Sequence, residues 1–170
     1  LESNPLQLGV VIVTGAGTGT FYLEAASGVY DEIQPGSYVF MDRDYGENEW
    51  GGNEGAAEAG RFENSLFLLT TVMSRRAHQA VVDAGHKTHG TDSGMPAVAG
   101  RPDLIYDRPS DEHGEIFPAS PQALLPELGQ QLRLIPGHCD PTVNVHDWLI
   151  GIRDGHVEAL WPIEARGAFS

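Results

Sequence analysis

The sequence predicts a mainly β protein built around a closed or partly closed antiparallel β structure. Three observations carry this. The 170 residues include 21 Gly and 11 Pro, so turns should be frequent and long helices few. From about residue 62 onward, short apolar runs follow one another with turn residues between them. Near the end, Asp154-Gly155 separates two runs of strand length, a strong hairpin signal.

The elements follow in order. Leu8 to Val13 is a continuous apolar run with β-branched residues and reads as a fully buried strand. It runs into Thr14-Gly15-Ala16-Gly17-Thr18-Gly19-Thr20. Gly28 to Gly36 reads as strand edge and turn, and Ser37 to Asp42 as a second buried strand. Asp44 to Gly60 holds Gly51-Gly52-Asn53-Glu54-Gly55 and several carboxylates, which predicts a loop or weak helix at a junction. Asn64 to Ser74 and Gln79 to Gly85 are strand-like. Asp103 to Tyr106 and Gly114 to Phe117 are short strands. Ser120 to Leu125 suits one helical turn and Pro126 to Gln130 a turn. Leu132 to Pro136 then leads into Gly137-His138-Cys139-Asp140-Pro141. The last strands are Asp147 to Arg153 and His156 to Trp161.

Composition narrows the function classes. A formal net charge of -14 repels phosphate backbones and anionic lipid head groups, so neither nucleic acid nor a membrane surface is an expected partner. Cys139 is the single cysteine, which rules out an intrachain disulfide and suits a reducing compartment such as the cytoplasm. No apolar run approaches the roughly 20 residues of a membrane span. Leu1-Glu2-Ser3-Asn4-Pro5 shows no basic region ahead of an apolar one, so no signal peptide is expected. The chain does not begin with Met, which leaves a processed product or a piece of a longer chain open.

Chemistry-bearing residues fall in a few places. On an extended backbone, residues two apart face the same way, so His138 and Asp140 are expected to converge on a divalent metal while Cys139 points elsewhere. Imidazole plus carboxylate suits manganese, zinc or a similar ion. Two protein ligands would leave positions for water and substrate. Pro136 and Pro141 stiffen the flanks. A solvated turn with an incidental histidine is the other reading. The run Gly15 to Thr20 offers small residues and hydroxyls to an anion and reads as a phosphate cradle or a plain tight turn. It matches neither the P-loop nor the dinucleotide fingerprint. Asp111-Glu112-His113 sets two carboxylates beside an imidazole, for acid–base work or as a polar turn. Lys87, the only lysine, lies in a turn-like stretch and reads as a surface residue. His86 and His89 could be metal ligands, but isolated loop histidines usually are not.

Taken in order, several segments resemble the C-terminal part of the D-threonine aldolase family, in the D-serine-dehydratase-like group with the alanine-racemase fold (fold type III of the pyridoxal-phosphate enzymes). They are Gly-Ala-Gly-Thr-Gly-Thr at 15–20, Gly-Ser-Tyr-Val-Phe-Met-Asp at 36–42, Val-Asp-Ala-Gly at 82–85, Thr-Asp-Ser-Gly at 91–94, Asp-Glu-His-Gly at 111–114, Pro-Gly-His-Cys-Asp-Pro-Thr-Val-Asn at 136–144 and Glu-Ala-Leu-Trp-Pro at 158–162. The resemblance implies a (β/α)8 barrel carrying pyridoxal 5'-phosphate, followed by an antiparallel β domain. Residues 1–45 then map to the last strands of the barrel, 46–61 to a loop or linker, and 62–170 to the β domain with its metal site. It implies that Gly17, Thr18, Gly19, Thr20 and Tyr38 bind the cofactor and that His138 and Asp140 hold the metal, with manganese preferred and zinc, magnesium or cobalt as alternatives. Asp111, Glu112 and His113 become catalytic candidates around it.

The related dehydratases carry His and Cys two apart. Here the second position is Asp140, which favours an aldolase that cleaves D-threonine and related D-3-hydroxy amino acids to glycine and an aldehyde. The family's Schiff-base lysine lies early in the barrel, and Lys87 does not match it. The chain is therefore expected to need an N-terminal barrel segment, and the whole enzyme is expected to be a homodimer. A D-3-hydroxy amino acid dehydratase and a catalytically inert metal-binding β module are the competing readings.

Overall fold

Alternating burial along short strands builds most of the molecule. The computed structural model describes residues 9, 12–48 and 62–168. The chain divides into two compact units. One comprises the described residues of Leu1–Val39 and Asn48–Phe62, the other those of Phe40–Glu47 and Glu63–Ser170.

In the first unit, β1 (Thr14–Gly15) pairs in parallel with β2 (Glu32–Ile33), and α1 (Phe21–Ala26) lies between them in sequence. Parallel neighbours need such a crossover, so this is a small β–α–β unit. Residues 8, 10 and 11 of the expected strand over 8–13 lie outside the described residues. Ile12, which is described, is 60% exposed, so the run is not buried throughout. The expected strand at 37–42 is also corrected. Ser37–Val39 is a 3-10 turn, Met41 has φ of 52°, and Asp42 caps α2 (Arg43–Gly46) by accepting the Tyr45 N–H at 2.9 Å. A left-handed residue and a capped helix start end any extended run. The segment 44–60, expected as a loop or weak helix, begins within α2, and its residues 49–60 lie outside the described ones.

In the second unit, six strands close a barrel in the order β3 (Leu68–Arg75), β4 (Ala80–Val82), β7 (Gly114–Pro118), β6 (Leu104–Asp107), β5 (Ala97–Val98) and β8 (Gln131–Ile135). Every neighbouring pair is antiparallel. Closure leaves no free edge, as the sequence predicts. Period-two alternation turns Leu68, Val72, Val82, Leu104, Ile116 and Leu134 inward, while Leu69 and Ile105 face out. Asp83 ties β3 to the end of β4, accepting the Thr70 hydroxyl at 2.6 Å and the Thr71 N–H at 2.7 Å.

The last two strands stand apart from the barrel. β9 (Trp148–Arg153) and β10 (His156–Pro162) form a separate antiparallel pair. Asp154 and Gly155 both have positive φ, 49° and 76°, which is the two-residue turn the sequence signals. Among the described residues, no helix is long and apolar enough to cross a membrane.

Candidate metal centre and cofactor-binding turn

The barrel's register determines which loops meet. β5 begins beside the point where β8 ends, with Ala97 opposite Ile135. The residues entering β5 therefore lie along those leaving β8. Leaving β8, the backbone is extended through His138 (φ −139°, ψ 129°), and α3 (Cys139–Asn144) starts immediately after. This corrects the extended reading of 138–140. Pro141 falls in the first turn of α3, where a missing N–H costs nothing, so it helps start the helix rather than stiffen a strand.

The convergence expected of His138 and Asp140 survives this change of backbone. His138 Nε2 lies 3.2 Å from Asp140 Oδ2. His138 occupies the N-cap position of α3 without a capping side-chain bond, and its ring lies against Asp140, the second residue of the helix. Cys139 is fully buried, and its N–H donates to Asp42 Oδ2 at 2.8 Å. The thiol thus sits on the core side of the turn and the two candidate ligands on the outer side. The Asp140 side chain is 69% exposed, which leaves room for other donors around an ion.

Several contacts hold this turn in place. Asp42 is fully buried and bridges the starts of α2 and α3 through its two oxygens. Arg43 N–H donates to Pro136 O at 2.9 Å and Asp44 N–H to Gly137 O at 3.2 Å. From the loop before β5, Gly90 N–H donates to the Thr142 hydroxyl at 3.1 Å, and that hydroxyl donates to His138 O at 2.7 Å. A Cβ at Gly137 would overlap the Gly94 carbonyl, and one at Gly90 would overlap Pro141. The two loops are fitted to one another at glycines. Asp92, on the same loop, lies 2.6 Å from His138 Nδ1.

These surroundings shift the ionisable groups. Burial works against the charged His138 ring, but the hydrogen bond and charge of Asp92, with Asp140 and Asp42 adding, hold its pKa above the ordinary histidine value. The same hydrogen bond to His138 holds the Asp92 carboxyl below its ordinary value.

Asp111, Glu112 and His113 occupy a separate exposed turn. Ser110 O and Asp111 O accept the N–H groups of His86 and Lys87, each at 2.9 Å. Glu112 pairs with Lys87 Nζ at 2.8 Å, which raises the lysine pKa and lowers the glutamate's. The ring partners of His138 are Asp92 and Asp140, not His113. Lys87 has a side chain 63% exposed, as a surface reading predicts. His89 lies in a loop, as expected, but is 2% exposed and bonded to Tyr106.

In the first unit, the turn at 15–20 folds back on itself, with Thr20 and Phe21 N–H groups donating to Gly17 O at 3.3 and 3.0 Å. Thr18 is 2% exposed, and its hydroxyl accepts the Tyr38 N–H at 3.1 Å. A Cβ on Gly17 would meet nothing within 4 Å, so open space lies over that glycine. The Tyr38 ring is 39% exposed and packs 5.0 Å from Phe62. Small residues, a fixed hydroxyl and open space suit an anionic group such as a phosphate.

Sequence reasoning gave no role to Asp42, Asp92 or Thr142. Asp42 carried a usable signal, a carboxylate three residues ahead of Tyr45 in a cap pattern. Asp92 lies in the Thr-Asp-Ser-Gly segment that carries the resemblance, but its partner is 46 residues away, so no local pattern gives it a role.

Residues 65–152 match the family model described as a putative serine dehydratase domain. The 3-hydroxy-D-aspartate aldolase of Paracoccus denitrificans is 52% identical over 157 residues, covering 91% of this chain and 39% of that protein. The D-threonine aldolase of Arthrobacter sp. is 52% identical over 156 residues, with the same two coverages of 91% and 39%. The crystal structure of D-threonine aldolase from Filomicrobium marinum superposes with a TM-score of 0.88 at 47% identity, covering 98% of this chain and 44% of that one. The chain thus spans about two fifths of the length of these relatives.

Proposed function

From the premise that the chain belongs to the putative serine dehydratase domain family, among relatives that are aldolases of D-3-hydroxy amino acids, we propose that it forms part of a lyase cleaving D-threonine and related D-3-hydroxy amino acids to glycine and an aldehyde. The observation that carries this reading is the 3.2 Å approach of His138 Nε2 to Asp140 Oδ2 on the outer side of one helical turn.

In this reading, His138 and Asp140 hold a divalent cation, manganese in first place, and Gly17, Thr18, Gly19, Thr20 and Tyr38 hold the phosphate of pyridoxal 5'-phosphate. When bound, the cofactor supplies an electron sink for carbon–carbon cleavage and the cation supplies polarisation of the substrate hydroxyl. The chain's own contribution is positioning. Asp42 and Thr142 fix the turn that carries the two ligands. Thr18 and Tyr38 are fixed to each other, so the turn at 15–20 keeps its shape. Asp111, Glu112 and His113, on their own exposed turn, are the candidates for handling substrate protons.

Lys87, paired with Glu112 at the surface, does not suit a covalent cofactor anchor. We assign that anchor to a (β/α)8 segment working with this chain, in a homodimeric enzyme. An aspartate as second ligand, with the neighbouring thiol buried, supports the aldolase over the dehydratase reading.

Product analysis on the protein purified from its source tests the proposal. With D-threonine, pyridoxal phosphate and Mn2+, glycine and acetaldehyde should form in equal amounts. Ammonia with a keto acid would make it a dehydratase, and no turnover with retained metal would leave a metal-binding module.

A further inference from the structure

A metal-binding imidazole needs one nitrogen free of its proton and the ring held at a fixed angle. The proton then sits on the other nitrogen and needs an acceptor. In this chain the acceptor is built in. Asp92 Oδ2 is 2.6 Å from His138 Nδ1, a short contact for a charge-assisted bond. His138 Nε2, the nitrogen facing Asp140, is thereby left as the donor to a cation.

The contact is not a chance meeting of two surface side chains. The barrel register lays the Asp92 loop along the His138 turn. Gly90 and Gly94 sit against Pro141 and Gly137 on either side of Asp92, so close that a Cβ at Gly90 or Gly137 would overlap its neighbour. Gly90 N–H adds a bond to Thr142. Asp92 therefore arrives on a loop fastened at both sides of the contact. Nor is Asp92 placed as a third ligand. Among the described residues, no three His, Cys, Asp or Glu side chains gather around one point, and Asp92 approaches the far nitrogen of the ring.

The geometry points to Asp92 as the positioning residue of the metal centre, fixing the tautomer and orientation of His138. This rests on the reading of His138 and Asp140 as the cation's ligands.

Zn2+ is a suitable diamagnetic probe for the 170-residue chain. Isothermal titration with ZnCl2 should give one site in the wild type, lost in Asp140→Ala. Asp92→Ala should weaken binding about 10- to 100-fold, the usual cost of losing a metal ligand's outer partner. Asp92→Asn keeps the shape and one acceptor oxygen, and should fall between the two. In nitrogen-15-labelled protein, the His138 Nδ1–H resonance should stand far downfield in the zinc-loaded wild type and be absent in Asp92→Ala. If Asp92→Ala fails to fold, Asp92→Asn carries the comparison. Binding within threefold of wild type in the folded variants, with the Nδ1–H signal unmoved, overturns the inference. A wild type that binds no zinc, or an Asp140→Ala variant that binds as well as wild type, instead overturns the ligand reading beneath it.

Discussion

His89 illustrates how a single buried residue shapes the molecule's response to pH. Its Nε2 lies 2.8 Å from the Tyr106 hydroxyl, which lies 2.7 Å from Ala84 O, and its Nδ1 lies 3.1 Å from Gly90 O. Burial lowers its pKa, the Gly90 carbonyl opposes that, and the nearby His86 adds to the lowering. The unfolded chain therefore binds this proton more readily than the folded one. The sign follows from linkage: stability from this group is present above about pH 6.5 and declines as pH falls below that value towards the folded pKa. His138 has the opposite sign, since its raised pKa favours the folded state at low pH and loses that benefit as pH rises through it. Urea denaturation between pH 7.5 and 5 should show His89→Gln losing less stability on acidification than wild type. Parallel curves would contradict the buried, neutral His89.

Elements are fixed here by caps and glycines as much as by hydrophobic pattern. Asp42 is the clearest case, since one carboxylate closes the start of α2 and also receives the first N–H of α3. Replacing it with Ala removes a cap and leaves a buried N–H unsatisfied, a loss of about 2–4 kcal/mol. Thermal or urea unfolding of Asp42→Ala measures this, and Asp42→Asn should recover part of it. Unchanged stability would mean that the bridge between the two helix starts does little. The strands were legible because alternation leaves a period-two imprint, as in Leu68, Thr70 and Val72 facing inward. The turn Asp154-Gly155 was legible because few residues accept positive φ. The segment 37–42 reads as a strand from its apolar residues alone, while what decides its shape is the distant partner of Asp42. The segment 138–140 reads as extended for a similar reason. His-Cys-Asp carries no helical pattern by itself, and the start of α3 depends on contacts from 42–44 and 90–94. The two side chains nevertheless converge, because a capping residue and the second residue of a helix can face the same side.

At the scale of the whole molecule, a closed six-strand barrel serves as a frame for loops. Neighbouring strands β5 and β8 bring together segments that lie 46 residues apart in sequence, Asp92 and His138 among them. In the proposed reading, such a frame would hold His138 and Asp140 in place for a cation and leave its other positions to water and substrate. The resemblance visible in the sequence supplied the family, and the barrel register explains why two of its motifs, 91–94 and 136–144, meet. The most direct test of the account is anomalous scattering from crystals of the chain soaked in MnCl2. The account predicts one strong peak at the manganese edge, within bonding distance of both His138 Nε2 and Asp140, with Asp92 still hydrogen-bonded to Nδ1. A saturating soak that leaves this position without a peak, with the two side chains facing solvent, would contradict it.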